Sequence, residues 1–323
     1  MPRKHPNTFV IGAPKCGTSA MAHYLNCHPN VFLCDPKEPF FWSTDYPILK
    51  HRHGINSLDA YLALFSAATD QHRVICEGST NYLASKNAIS NILGFNRDAK
   101  FIVMLRNPVD VVHAFHSEIL FSCIEDEPDF EKAWHRQEAR KIGQGIPEGC
   151  EAEQFLQYGD VASYAPQLER FFELVPEHNR KVILFDDFAA DNALCYRETL
   201  QFLGLPEFAM EKFERVNAAH GHRFPAFSKF ILSPPQPVRP IINTVRFAAR
   251  KFKGGWIDQA KKWFRQPEKR KPLSPEFQVE LSHYFKSDIQ RTSEILGKDL
   301  SHWLNTEDKC EASDPSLVIS SQG

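Results

Sequence analysis

Gly12 and Gly17 are separated by four residues, with Lys15 between them and Thr18-Ser19 directly behind. Residues of these types at this spacing bind phosphate. Glycines allow a tight backbone path, and the first N–H groups of a following helix attract an anion, helped by the helix dipole. Thr18 and Ser19 add hydroxyl donors. A nucleoside-triphosphate loop continues Gly-Lys-Ser/Thr and manages its terminal phosphate with that lysine and Mg²⁺. Here Thr18 follows Gly17, and the lysine has moved inside the loop, a place from which it can contact a bridging, leaving-group oxygen. Two further residues complete a possible reaction centre. Arg106, in Arg106-Asn107-Pro108, ends an apolar run, and its guanidinium fork matches phosphate oxygens. Glu38 lies between Pro36 and Pro39, just ahead of Phe40-Phe41-Trp42. A carboxylate desolvated by such aromatics holds its proton more tightly, which suits a general base.

The elements that must position these residues are short β-rich runs alternating with helical patterns. Thr8–Ala13, Arg73–Gly78, Lys100–Pro108 and Lys181–Phe188 read as strands. Helical patterns follow at 18–27, 87–93, 109–122 and 193–205. Continuous apolar strands alternating with helices predict an α/β fold: three layers, with a central parallel sheet covered on both faces. Ligands of such folds bind beyond the C-terminal ends of the strands. The first three strands end there in Pro14-Lys15-Cys16-Gly17, Glu77-Gly78-Ser79-Thr80 and Arg106-Asn107-Pro108.

Composition narrows the field. The chain has 323 residues, 42% of them hydrophobic, and a net charge of −2, so global charge selects no nucleic acid. The eight cysteines are scattered singly, without a CxxC pair. They predict reduced thiols in a cytoplasmic protein, with neither a disulfide frame nor a zinc site. The N-terminus lacks a signal-peptide apolar stretch, and no apolar run has the length of a transmembrane helix. Residues 223–272 stand apart, with thirteen Lys and Arg against two acids. With prolines near 234–240, they predict a basic excursion or lid on a single domain spanning 1–305. Within them, 246–265 reads as an amphipathic helix interrupted by Gly254-Gly255, a solvated face with its aromatics packed inward. The polar 306–323 segment predicts a disordered tail.

The loop "PKCGTSA" resembles the 5′-phosphosulfate loop of sulfotransferases that use 3′-phosphoadenosine-5′-phosphosulfate (PAPS). "DPKEPFFW" at 35–42, "FIVMLRNPVD" at 101–110, "LQFLGLP" at 200–206 and the stretch 273–304 resemble further motifs of the heparan-sulfate-type and bacterial branch, in the same order. The resemblance implies that Lys15, Cys16, Gly17, Thr18 and Ser19 hold the 5′-phosphosulfate and that Arg106 binds the 3′-phosphate. It also implies Glu38 as general base, and Lys15 as the group that stabilises the leaving phosphate. The product nucleotide is then 3′,5′-adenosine bisphosphate (PAP), no metal is required, and the acceptor is a small molecule, glycan or lipid bearing a hydroxyl or amine.

Three departures mark this chain. Ala114 replaces the serine that the family places eight residues after its arginine, with Ser117 or His113 as substitutes. Gly78 stands where the heparan-type enzymes carry the lysine of Glu-Lys-Thr-Pro, which points away from a sulfated-glycan acceptor of their kind. Their Lys-Gly-Arg cofactor loop has its counterpart in 220–229, with Arg223 as a phosphate contact. His113 and His116, at i and i+3, lack a third metal ligand, and His116 is the alternative base. Two rival functions follow from the same residues. A P-loop kinase or NTPase would draw its metal-binding aspartate from Asp186 or Asp187. A non-catalytic nucleotide-binding homologue would explain Ala114.

Overall fold

The computed structural model describes residues 4–46, 49, 54–148, 150, 152–210, 212–213, 220–222, 265–267 and 270–305. Five strands, β1 (Thr8–Gly12), β2 (Val31–Leu33), β3 (Val74–Glu77), β4 (Lys100–Leu105) and β5 (Arg180–Leu184), form one parallel sheet in the order β2-β3-β1-β4-β5. The strands are near-continuous apolar runs because helices cover both faces. Phe9, Val10, Ile11, Phe101, Ile102, Val103 and Met104 are fully buried. The three-layer reading therefore holds. The fourth expected strand is shorter than its apolar run. It ends at Leu184, and Phe185-Asp186-Asp187-Phe188 opens a helix instead, with Phe188 turned into the core. The three-residue β2 is an additional edge strand.

The helices are α1 (Thr18–Asn26), α2 (Leu58–Ala63), α3 (Ala88–Phe95), α4 (Pro108–Phe121), α5 (Phe130–His135), α6 (Gln137–Lys141), α7 (Tyr158–Ala162), α8 (Ala165–Leu174), α9 (Phe185–Ala190), α10 (Asn192–Leu203) and α11 (Pro275–Leu296). The chain leaves β1 towards β2 and β3 on one side, then crosses back to β4 and β5 on the other. β1 is thus the topological switch, and its C-terminal end is where a ligand crevice opens.

Two anchors hold the site's outer wall. α11 starts at a Ser274 cap with Pro275 in its first turn, and it ends at Gly297, whose φ is 60°. Its buried stripe, Phe277, Leu281, Phe285, Ile289 and Thr292, recurs every three or four residues and packs on α4 and α8. That packing carries residues 270–274 up to the start of α4. Beyond α4, the fully buried Glu125 carboxylate accepts two hydrogen bonds from Arg140, at 2.6 and 2.7 Å, and one from the Tyr158 hydroxyl at 2.6 Å. Burial alone would push Glu125 up, but these donors and the Glu127 N–H outweigh it and hold the carboxyl below its ordinary range. β6 (His220–His222) and β7 (Arg265–Pro267) form a separate antiparallel pair whose β6 strand lies against α4. The rest of the basic stretch as far as residue 264, Arg223 included, lies outside the described residues, as does 306–323. No helix among the described residues is long and apolar enough to cross a membrane.

Candidate functional site

The loop between β1 and α1 is set by close backbone approach. A side chain at Gly12 would place its first carbon 2.7 Å from the backbone nitrogen of Met104 on β4, so only glycine fits there. Lys15 takes a left-handed conformation, with φ of 65°. Gly17, at φ 90°, caps α1 without a side chain, and no acid sits in the first turn. The leading N–H groups therefore face the crevice with the positive end of the helix dipole behind them. Thr18 is buried and Ser19 half-buried. Cys16 can contribute to the loop through its backbone. Its side chain is fully buried beneath the loop, 3.9 Å from the Tyr164 hydroxyl, so it offers only its backbone to a ligand. Burial pushes that thiol up to about 12.

β4 delivers the second cation. Asn107 caps α4 through its side chain, which accepts from the Val109 N–H at 3.0 Å, and Pro108 fits the first turn. Arg106 is held just before this cap. Its guanidinium lies 4.6 Å over the Phe185 ring and 3.4 Å from Asp110, and its carbonyl accepts from the Tyr164 hydroxyl at 2.8 Å. Tyr164 thus lies under both the Lys15 loop and the Arg106 turn. Lys15 is itself paired, at 3.2 Å, with Glu118 of α4. Asp110, Ala114 and Glu118 recur every fourth residue, so one stripe of α4 meets both cations. Ala114 is buried in the middle of that stripe.

Arg270 is the functional candidate that sequence reasoning missed. Surrounding protein first, and the Arg106 charge next, depress its guanidinium below the ordinary value, while Asp110 acts the other way. Arg270 is exposed, and its charge acts together with that of Arg106 near this strand end, which favours an anion there. The position of the phosphate-contacting loop, assigned from sequence to 220–229, thus has a described alternative in the segment leading into α11. His113 joins this group. Burial, then Arg270, lowers it to about 4, which keeps the ring neutral at pH 7. Ser117 is turned to the His113 carbonyl at 3.5 Å. His116, the alternative base, lies away from the open crevice. It is buried among Phe130 and Tyr158, with its ring nitrogen 2.8 Å from the Glu127 carbonyl.

The third part of the site lies past β3. The segment carrying Glu38 docks on the turn after that strand. Gly78 N–H donates to the Lys37 carbonyl at 2.9 Å, Phe40 N–H to the Ser79 hydroxyl at 3.1 Å, and Trp42 N–H to the Tyr82 hydroxyl at 3.2 Å. The aromatic run does not desolvate Glu38 as expected. Phe40, Phe41 and Trp42 turn inward, Phe41 stacking on Tyr61 at 4.6 Å. The Glu38 side chain stays about a third exposed and accepts from Lys37 Nζ at 2.7 Å. The desolvated carboxylate is Glu77. It is fully buried, and burial pushes it up from 4.5 to about 8 against the opposing effect of the Tyr82 and Tyr61 hydroxyls. A cation does stand over Gly78, since the Lys37 stem lies along it. The aspartates that a metal-dependent NTPase would need are engaged elsewhere. Asp186 accepts from Trp303 Nε1 at 2.6 Å, and Asp187 pairs with Lys298 at 3.1 Å. The described residues contain no cluster of three or more metal-ligating side chains.

A glycine-turned anion cradle at the switch point of a parallel sheet, flanked by Arg106 and a proline-bounded carboxylate, is a setting suited to the phosphate of a nucleotide. The chain belongs to the sulfotransferase domain family, whose match spans residues 5–218. It is 26% identical over 224 residues to heparan sulfate glucosamine 3-O-sulfotransferase 3A1 of Mus musculus, covering 69% of this chain and 51% of that protein. It is 29% identical over 147 residues to carbohydrate sulfotransferase 15 of the same species, covering 34% of this chain and 26% of that one. The chain thus spans about half the length of the first of these relatives and a quarter of the second. The crystal structure of a sulfotransferase from Alicyclobacillus acidocaldarius shares the fold, with a TM-score of 0.67 at 24% identity over 94% of this chain and 100% of that one.

Proposed function

We propose that this protein transfers a sulfuryl group from PAPS to an acceptor hydroxyl or amine. The observation that carries the reading is the pair of anion sites either side of Tyr164: the uncapped α1 terminus with Lys15, and the β4 end, where Arg106 is fixed with the Arg270 charge in electrostatic reach. Their separation into two sites suits a nucleotide phosphorylated at both 5′ and 3′ positions. The donor supplies an activated sulfuryl group and leaves as PAP. Lys15, the Cys16 to Ser19 N–H groups and the Thr18 and Ser19 hydroxyls hold the 5′ end, with Lys15 exchanging Glu118 for the ligand. Arg106 and Arg270 hold the 3′-phosphate, and Arg270 takes the place left by Ala114. Arg223 remains a further candidate for that phosphate. This second arginine weakens the case for a non-catalytic homologue.

Glu38 takes the acceptor's proton. It is the partly exposed carboxylate of the site, whereas Glu77 is sealed and retains its own proton at neutral pH. Fixed donors and a placed base are the protein's contribution to an in-line displacement. The names of two relatives specify carbohydrate acceptors, and the Lys37 ammonium over Gly78 is compatible with an anionic glycan. A glycan hydroxyl is therefore the first acceptor class to test. Glu38→Gln keeps size and cannot accept the proton, so transfer should fall about 10²- to 10⁴-fold. PAP affinity should stay within a few-fold. Near-normal turnover in this variant would remove Glu38 from the mechanism.

A further inference from the structure

Gly78 raises a question that its backbone does not answer. Its φ lies outside the left-handed region, so the conformation does not require glycine. Space does. A side-chain carbon at 78 would stand 2.9 Å from Lys37 Cε, 3.3 Å from its Cγ and 3.5 Å from its Nζ. The lysine stem lies flat on the glycine, and the Gly78 N–H donates to the Lys37 carbonyl at 2.9 Å, which fixes the two backbones together. The stem so placed delivers its ammonium to Glu38 Oε1 at 2.7 Å. The Lys37 side chain is 21% exposed, so its charged end faces the crevice while its methylenes are covered. Glu77, the residue before Gly78, is fully buried; the Tyr82 and Tyr61 hydroxyls act on its carboxyl first, and the Glu38 and Lys37 charges after them.

We propose that Lys37 is a positioning residue of the transfer reaction, holding the Glu38 carboxylate at the acceptor side, and that Gly78 exists to give its stem room. This rests on the reading of Glu38 as base. Glu38 sits on a loop rather than a helix or strand, and Lys37 Nζ is its charged anchor. When Glu38 takes the acceptor's proton, the ion pair becomes a neutral acid beside an ammonium, and the positive charge remains next to the newly formed anionic sulfate ester.

The test is a double-mutant cycle on the full chain. Transfer of labelled sulfate from PAPS into a cell-extract acceptor pool is measured under single turnover at saturating donor, with PAP affinity measured by calorimetry. Lys37→Met should lower the transfer rate about 10- to 100-fold, the cost of a misplaced reacting group, with PAP affinity within about threefold. Lys37→Arg should restore most of the rate. Gly78→Ala should reproduce the loss with the lysine intact, and Gly78→Ala/Lys37→Met should be no worse than Lys37→Met alone, because both changes break one interaction. A Lys37→Met rate within threefold of wild type, or losses that multiply in the double variant, overturns the proposal. Glu38→Gln run alongside separates the two readings. If it retains turnover, the base assignment fails. If it collapses while Lys37→Met does not, only the role of Lys37 fails.

Discussion

Removing the Arg106 guanidinium should cost the chain its preference for a 3′-phosphorylated nucleotide. Arg106 is three-quarters covered, stacked on Phe185 and 3.4 Å from Asp110, so it is already oriented before a ligand arrives. A charge-assisted contact to phosphate contributes about 1.5–3 kcal/mol, and 1.4 kcal/mol is a factor of ten, so Arg106→Ala should weaken PAP binding roughly 10- to 100-fold. The loss should be confined to the 3′-phosphate. Calorimetry with PAP and with 5′-AMP, in EDTA, gives the preference for the 3′-phosphorylated nucleotide. That preference should shrink by the same factor in Arg106→Ala and, by a similar mechanism, in Arg270→Ala. Ligand-free Arg106→Ala should melt at or below wild type, because it gives up the Phe185 stacking and the Asp110 pair. An unchanged preference for PAP over AMP in Arg106→Ala would refute the assignment of this strand end to the 3′-phosphate. A preference lost in Arg106→Ala but intact in Arg270→Ala would return the second contact to the basic stretch around Arg223.

Three further outcomes follow from buried groups. Between pH 4.5 and about 8 the folded chain keeps the Glu77 proton and the unfolded chain has released it, so this residue lowers stability by about 1.4 kcal/mol for each unit of rising pH. Urea unfolding at pH 5 and pH 8 should show Glu77→Gln gaining several kcal/mol on wild type across that interval, and a pH-independent difference would contradict the burial account. Arg140→Met leaves the Glu125 carboxylate charged and buried and should destabilise the fold by about 3–5 kcal/mol in urea. Because Glu125 is held low in the fold, its stabilisation is present at neutral pH and is lost as pH falls through its folded value; the variant should lack that acid-side loss. Gly12→Ala, forced against the Met104 backbone, should abolish PAP binding or folding, whereas Ala13→Gly should leave the chain folded by circular dichroism.

Much of the fold was legible because the sheet is parallel and covered on both faces, which turns each strand into an unbroken apolar run. The same property misleads at the ends of a run. Leu184 and Phe185 are equally apolar, yet the first ends β5 and the second begins α9. Val31–Leu33 is too short for any periodicity to register. The anion loop was legible because Gly12 is demanded by the backbone of β4. Arg270 was not, since it is one of thirteen cations in a basic stretch and only the packing of α11 on α4 brings it to Arg106. The aromatics after Glu38 gave the right kind of signal for the wrong carboxylate. They turn inward onto Tyr61, while the carboxylate that is buried is Glu77, and the pairing of Lys37 with the space over Gly78 exists only in three dimensions.

The central claim is metal-independent sulfuryl transfer from a 3′-phosphorylated donor, with Glu38 as base. Its most direct test incubates the chain with ³⁵S-labelled PAPS, EDTA and a cell extract, and follows label into product together with release of PAP. The account predicts one labelled product molecule per PAP released in wild type, and a transfer rate at least about 10²-fold lower in Glu38→Gln despite near-normal PAP affinity. Transfer that requires Mg²⁺ and ATP, or PAP binding in EDTA without any label transferred, would contradict it.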